Sequence, residues 1–161
     1  MAMVPPDARA ARPFRILKGT DDLIRSPRAV ASASAELEVG EWIGVNASGQ
    51  AAKVTATVVT APDQTAECCW THYKQNYTNE GHPDAVATGQ FTGISGKYVA
   101  ETTFFKTGET YTPGFLLVVI LVSGVGVLAP VDPASADAET LAGAVAKVVK
   151  YASGRLTYRT L

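Results

Sequence analysis

Reactive and polarising side chains are scarce in this chain: two cysteines, two histidines, two methionines and an aromatic content of 8 %. The cysteines are adjacent, Cys68 and Cys69. Neighbours in an extended chain point to opposite faces, so no ordinary disulfide between them is expected and no disulfide framework holds the fold. Charged residues make up only 18 % of the sequence, too few for long solvated helices. The densest apolar run, Phe115 to Val122, falls far short of the roughly 20 residues a membrane-spanning helix needs. The first residues bring prolines and arginines instead of a continuous apolar stretch, so neither a secretory signal nor a membrane anchor is read, and residence in a cytoplasm is expected. A formal net charge of −1 argues against a general nucleic-acid binder.

What is abundant is alanine, valine, threonine and glycine, a mixture suited to many short strands. With 161 residues the chain is one domain, and the composition predicts an all-β fold, a jelly-roll-like sandwich or a small β-barrel. Its centre is Tyr111 to Val131. Pro113-Gly114 has turn chemistry, Phe115 to Val122 is an uncharged β-branched run, and Ser123-Gly124 followed by Gly126 breaks it. The pattern is a buried strand entering a hairpin.

Residues 1–35 carry Pro5, Pro6, Pro13 and Pro27 with scattered arginines and no sustained period. They read as an extended N-terminal arm outside any regular sheet, whose Phe14, Ile16, Leu17, Leu23 and Ile24 order against a partner. The arm holds Arg9, Arg12, Arg15, Lys18, Arg25 and Arg28 against Asp7, Asp21 and Asp22, while the rest of the chain is net acidic. Residues 36–161 form the β body. Leu37, Val39, Ile43 and Val45 share one parity, and Val54, Ala56 and Val58 alternate with polar neighbours. A variegated loop insertion sits near 67–88. Tyr98, Ala100, Thr102 and Phe104 share one face of a further strand. From 135 to 150 a helical spacing of Leu141, Val145, Val148 and Val149, behind Ser135 or Asp137 as cap, competes with the alternation of Val145, Lys147, Val149 and Tyr151; glycine and valine content favours strand. Ser153-Gly154 is a turn, and the alternation from Arg155 to Leu161 places the end of the chain inside a sheet.

Candidate chemistry is sparse. Cys68, Cys69, His72 and His82 are zinc-ligand types without a Cys-x-x-Cys knuckle, and the same cysteines with a histidine and Asp84 lack any nucleophile signature. The pairs Gly124/Gly126 and Gly93/Gly96 read as turns, and Glu36, Glu38, Glu41 and Glu101 as solvated strand positions. No catalytic residue, cofactor or metal is expected, so the chain is read as a non-enzyme. Trp70, Tyr73 and Tyr77 are the aromatics expected at an intersubunit or otherwise exposed contact.

Gly40-Glu41-Trp42-Ile43-Gly44-Val45-Asn46 followed by Gly49-Gln50-Ala51-Ala52-Lys53 resembles the opening hairpin of tailed-phage head decoration, or cement, proteins. The likeness continues in Tyr98-Val99-Ala100-Glu101-Thr102 before Phe104-Phe105, in Tyr111-Thr112-Pro113-Gly114 leading to the apolar strand, and in the closing Gly143 to Val148 and Gly154 to Thr157. It covers about residues 36–161. The resemblance implies a structural virion protein on the capsid surface, made in the host cytoplasm, commonly a homotrimer, that binds the major capsid protein and neither nucleic acid nor membrane. Arg9, Arg12, Phe14, Arg15 and Leu17 of the arm would then meet the capsid, and removing residues 1–30 would leave a folded body unable to attach. The alternatives are a receptor- or carbohydrate-binding β module, with Trp70, Tyr73 and Tyr77 as stacking platform, and a tail or connector component.

Overall fold

Leu116–Val122 and Val125–Val131 pair in unbroken antiparallel register, Leu116 opposite Val131 through to Val122 opposite Val125. Ser123 and Gly124 both take positive φ, 51° and 78°, the backbone twist that a two-residue hairpin requires. The central hairpin is therefore where the sequence puts it, one residue later in its start. A computed structural model describes residues 14–19, 23–29, 40–45, 48–52, 65–69 and 90–161, with the side chains of 25–29, 51–52, 65–69 and 90–92 outside the description.

The described strands, in chain order, are β1 (Phe14–Lys18), β2 (Leu23–Ala29), β3 (Trp42–Val45), β4 (Ala51–Ala52), β5 (Thr65–Cys69), β6 (Gln90–Gly96), β7 (Val99–Thr102), β8 (Leu116–Val122) and β9 (Val125–Val131). A single-turn helix, α1 (Ala138–Ala142), precedes β10 (Ala144–Ala152) and β11 (Arg155–Thr160). They form a six-stranded sheet, β1-β7-β11-β10-β8-β9, and a five-stranded sheet, β2-β6-β5-β3-β4. The fold is all-β, as composition and alternation predict.

The larger sheet curls back on itself. Thr102 Oγ1 accepts the Phe104 N–H at 2.9 Å and turns the chain after β7. Residues 104–106 then run alongside β9, with Lys106 N–H donating to Leu128 O at 2.9 Å and Leu128 N–H to Phe104 O at 3.1 Å. The far edge of the sheet is thus joined to the continuation of its second strand, which removes an open edge. Inside lie Ala100, Leu117, Val119, Leu128, Ala146, Val148, Leu156, Tyr98 and Tyr158. Trp42 of β3 and Ile94 of β6 enter the same core, and the Trp42 ring centroid lies 6.0 Å from that of Tyr158, so the two sheets share one apolar interior.

Four expectations change. The N-terminal segment is not merely an arm, because β1 lies along β7 and β2 along β6, each at a sheet edge. Phe14 is 2 % exposed and belongs to the core. A Cβ added at Gly40 would stand 2.5 Å from Phe14 Cβ, so the glycine lets the chain lie flush on that residue. Gly93 lies within β6 rather than in a turn and Gly126 within β9, while Gly96 closes β6 with φ of 92° where the chain bends toward β7. Glu41 is fully buried rather than solvated, and its Oε1 accepts the Gly126 N–H at 3.4 Å. The segment 135–150 contains both candidates in succession: Asp137 Oδ1 accepts the Thr140 N–H at 2.7 Å to cap α1, Gly143 ends it, and β10 follows.

Parity in β10 also departs from simple alternation. Register shifts lie between Ala144 and Ala146 against β8, and between Val148 and Lys150 against β11. The extra residues turn Ala146 and Val148 into the core and Lys147 outward, where unbroken alternation would group Lys147 with Val145 and Tyr151. The strand expected over Lys53 to Val58 lies outside the described residues.

Candidate functional site

The outward rows of the six-stranded sheet collect positive charge. Across one row, Lys18 of β1 pairs with Val99 of β7, Val99 with Arg159 of β11, Arg159 with Lys147 of β10, and Lys147 with Leu116 of β8. The next row runs Arg15, Glu101, Thr157 and Lys150. The odd positions from Arg155 to Arg159 face out because Leu156 and Tyr158 fill the core. Among the described residues six cations therefore stand on this face, with Glu101 as the one acidic side chain among them.

That carboxylate is already engaged. Glu101 Oε1 takes Arg155 Nη1 at 3.1 Å and Arg15 Nη2 at 3.4 Å. Among the described residues no ion pair reaches Lys18, Lys147, Lys150 or Arg159. In-register Arg159 and Lys147 sit on adjacent strands, where Cβ atoms of directly opposed residues are about 5 Å apart and like charges repel. Leu17, 41 % exposed, and Val149 add apolar surface to the same region.

One end of the face is concave. Lys18, Lys97 and Arg159 flank a groove of about 370 Å³ with Gly19, Tyr98, Val99, Thr160 and Leu161. Its wall is fixed by Thr160, whose Oγ1 accepts the Tyr98 N–H at 2.9 Å and donates to Gly96 O at 2.7 Å. Gly19 has φ of 87°, and a Cβ there would meet Lys97 O at 2.5 Å, so only glycine lets β1 leave the sheet this closely. A second groove of about 250 Å³ opens at the seam of the sheets beside Trp42, Ser95 and Val145.

Elsewhere the rings of Phe105, Tyr111 and Tyr151 cluster at centroid distances of 5.4 to 5.5 Å, Phe105 edge-on to both tyrosines. The Tyr111 hydroxyl donates to Lys106 O at 2.6 Å. Burial holds this phenol well above its ordinary range, and the Glu109 carboxylate adds to the effect. The folded state thus favours neutral Tyr111. Its contribution to stability is complete below the unfolded value of about 10 and is lost as pH rises above it. Thermal melts should fall off steeply above that pH, and Tyr111→Phe should flatten the fall; an unchanged alkaline limb in the variant would remove Tyr111 as its cause.

Of the residues singled out in the sequence, Arg15 and Leu17 lie on the basic face and Phe14 does not, being turned into the core. Arg9, Arg12, Trp70, Tyr73, Tyr77, His72, His82 and Asp84 lie outside the described residues, as do the side chains of Cys68 and Cys69. Sequence reasoning missed Lys97, Lys147, Lys150, Arg155 and Arg159. The Arg155-Thr157-Arg159 alternation was visible as a polar face, but its alignment with Lys147 depends on the bulge in β10. Among the described residues no three histidine, cysteine, aspartate or glutamate side chains converge on a metal-sized site, and no helix is long and apolar enough to cross a membrane. Comparison with known proteins supplies no relative: no family model, no curated protein and no solved structure matches the chain.

Proposed function

We propose that this chain is a non-enzymatic structural protein of a phage virion, a head decoration protein that binds the outer surface of the capsid and braces contacts between major capsid protein subunits. The observation that carries the reading is the exposed basic face on a closed all-β body. A surface with cations left unpaired among the described residues suits docking onto a larger assembly of opposite charge, and electrostatic complementarity speeds and orients such docking. The resemblance of residues 36–161 to decoration proteins supplies the identity of that assembly. A homotrimer, set over a junction of capsid subunits, is the arrangement we propose.

The test is reconstitution. Purified protein mixed with shells of the encoding virus that lack it should sediment with them at a fixed ratio to the major capsid protein, and should raise the temperature at which the shells break. Protein that stays in the supernatant at low ionic strength, with shell stability unaltered, would rule the reading out.

A further inference from the structure

We propose that the groove and row formed by Lys18, Lys97, Arg159 and Lys147 are the recognition subsite for an acidic loop of the partner protein, one presenting several aspartate or glutamate side chains. The inference rests on the capsid reading for the identity of the partner and goes beyond it in naming the surface and the chemistry it meets.

Three observations converge. Lys147 and Arg159 are in register on neighbouring strands, an arrangement that repels in the isolated chain and is relieved when carboxylates come between them. The one acidic side chain among the described residues of this face, Glu101, is held by Arg15 and Arg155 and does not screen that pair. Lys18 stands in the same row and Lys97 beside the same groove, so the charge surrounds a concavity of about 370 Å³, large enough for more than one carboxylate side chain.

A protein partner fits better than a polyanion. The rows also hold Val99 and Leu116 and adjoin exposed Leu17 and Val149, so the face offers apolar contact as well as charge. Apolar surface beside charge suits a protein partner, whereas phosphate backbones are met chiefly by charge.

The experiment uses the full chain carrying Lys147→Thr and Arg159→Thr together, threonine keeping the β preference of both positions. Lys106→Gln serves as control, a cation outside the face that pairs with Glu109. An aspartate- and glutamate-rich octapeptide is titrated by NMR, and shell attachment is measured in parallel. The expected result has opposite signs: the melting temperature of the double variant stays level or rises by about 1–3 °C because the repulsion is gone, while peptide binding disappears and attachment weakens at least tenfold, with a shallower salt dependence. The control should behave as wild type. Attachment and peptide binding unchanged in the double variant would overturn the subsite while leaving the capsid reading in place. Peptide binding that depends on Lys147 and Arg159 in a protein that ignores shells would support the subsite and overturn the capsid reading. Tight binding of the isolated protein to duplex DNA, lost in the double variant, would overturn the assignment to a protein partner.

Discussion

Val119→Asp is expected to yield no folded protein. Val119 has no exposed surface; it lies opposite Leu128 in the central hairpin and faces the interior with Leu117 and Tyr158. An aspartate there would place a carboxylate among aliphatic and aromatic groups. Burying such a group unpaired costs several kcal/mol even after it takes up a proton, against a total stability of about 5–15 kcal/mol for a domain. The same substitution three residues on, Val122→Asp, falls at the hairpin end where the side chain is already part exposed and should be tolerated. Circular dichroism and size exclusion of the two variants side by side make the measurement. A soluble Val119→Asp chain melting like wild type would mean that the core lies elsewhere.

Deleting residues 1–30 has the second large expected effect, and its direction follows from the structure. Treated as a loose arm, the segment is dispensable for folding. As observed it supplies β1 to the larger sheet, β2 to the smaller and Phe14 to the core. Losing a buried phenylalanine side chain alone costs about 3–5 kcal/mol. The deletion also bares the outer edges of β7 and β6, both templates for intermolecular pairing. Urea titration should show a truncated chain that is unfolded or aggregated in buffer, and Phe14→Ala in the full chain should lower the midpoint with the slope unchanged. A truncated chain with the wild-type midpoint would return the segment to the status of an appendage.

Both predictions turn on residues whose neighbours are far away in the chain, and they divide what local pattern settles from what it does not. Positions with strong local chemistry were readable. Ser123-Gly124 and Ser153-Gly154 turn where serine and glycine both accept positive φ, and Asp137 caps a helix because its side chain reaches the Thr140 amide. The parity of Tyr98, Ala100 and Thr102 was likewise plain, since each of the three is buried. Phe14 and Glu41 were misjudged for a common reason. An arm phenylalanine reads as a partner contact and a strand-end carboxylate as solvated until β7 and Gly126 are brought beside them from far along the sequence.

The basic face shows the same division. Composition by itself determined an all-β chain with few reactive groups and a cation-rich N-terminal segment, because β-branched content, turn residues and charge counts are local properties. It placed the positive charge in the arm. Pairing decided otherwise: β1 carries Arg15 and Lys18 to β7, β11 presents Arg155 and Arg159 beside it, and the bulge in β10 swings Lys147 to the same side. A single added residue reverses which way a strand faces, and the hydrogen-bonding partner that fixes its position lies on another strand, so no reading of one segment alone contains it.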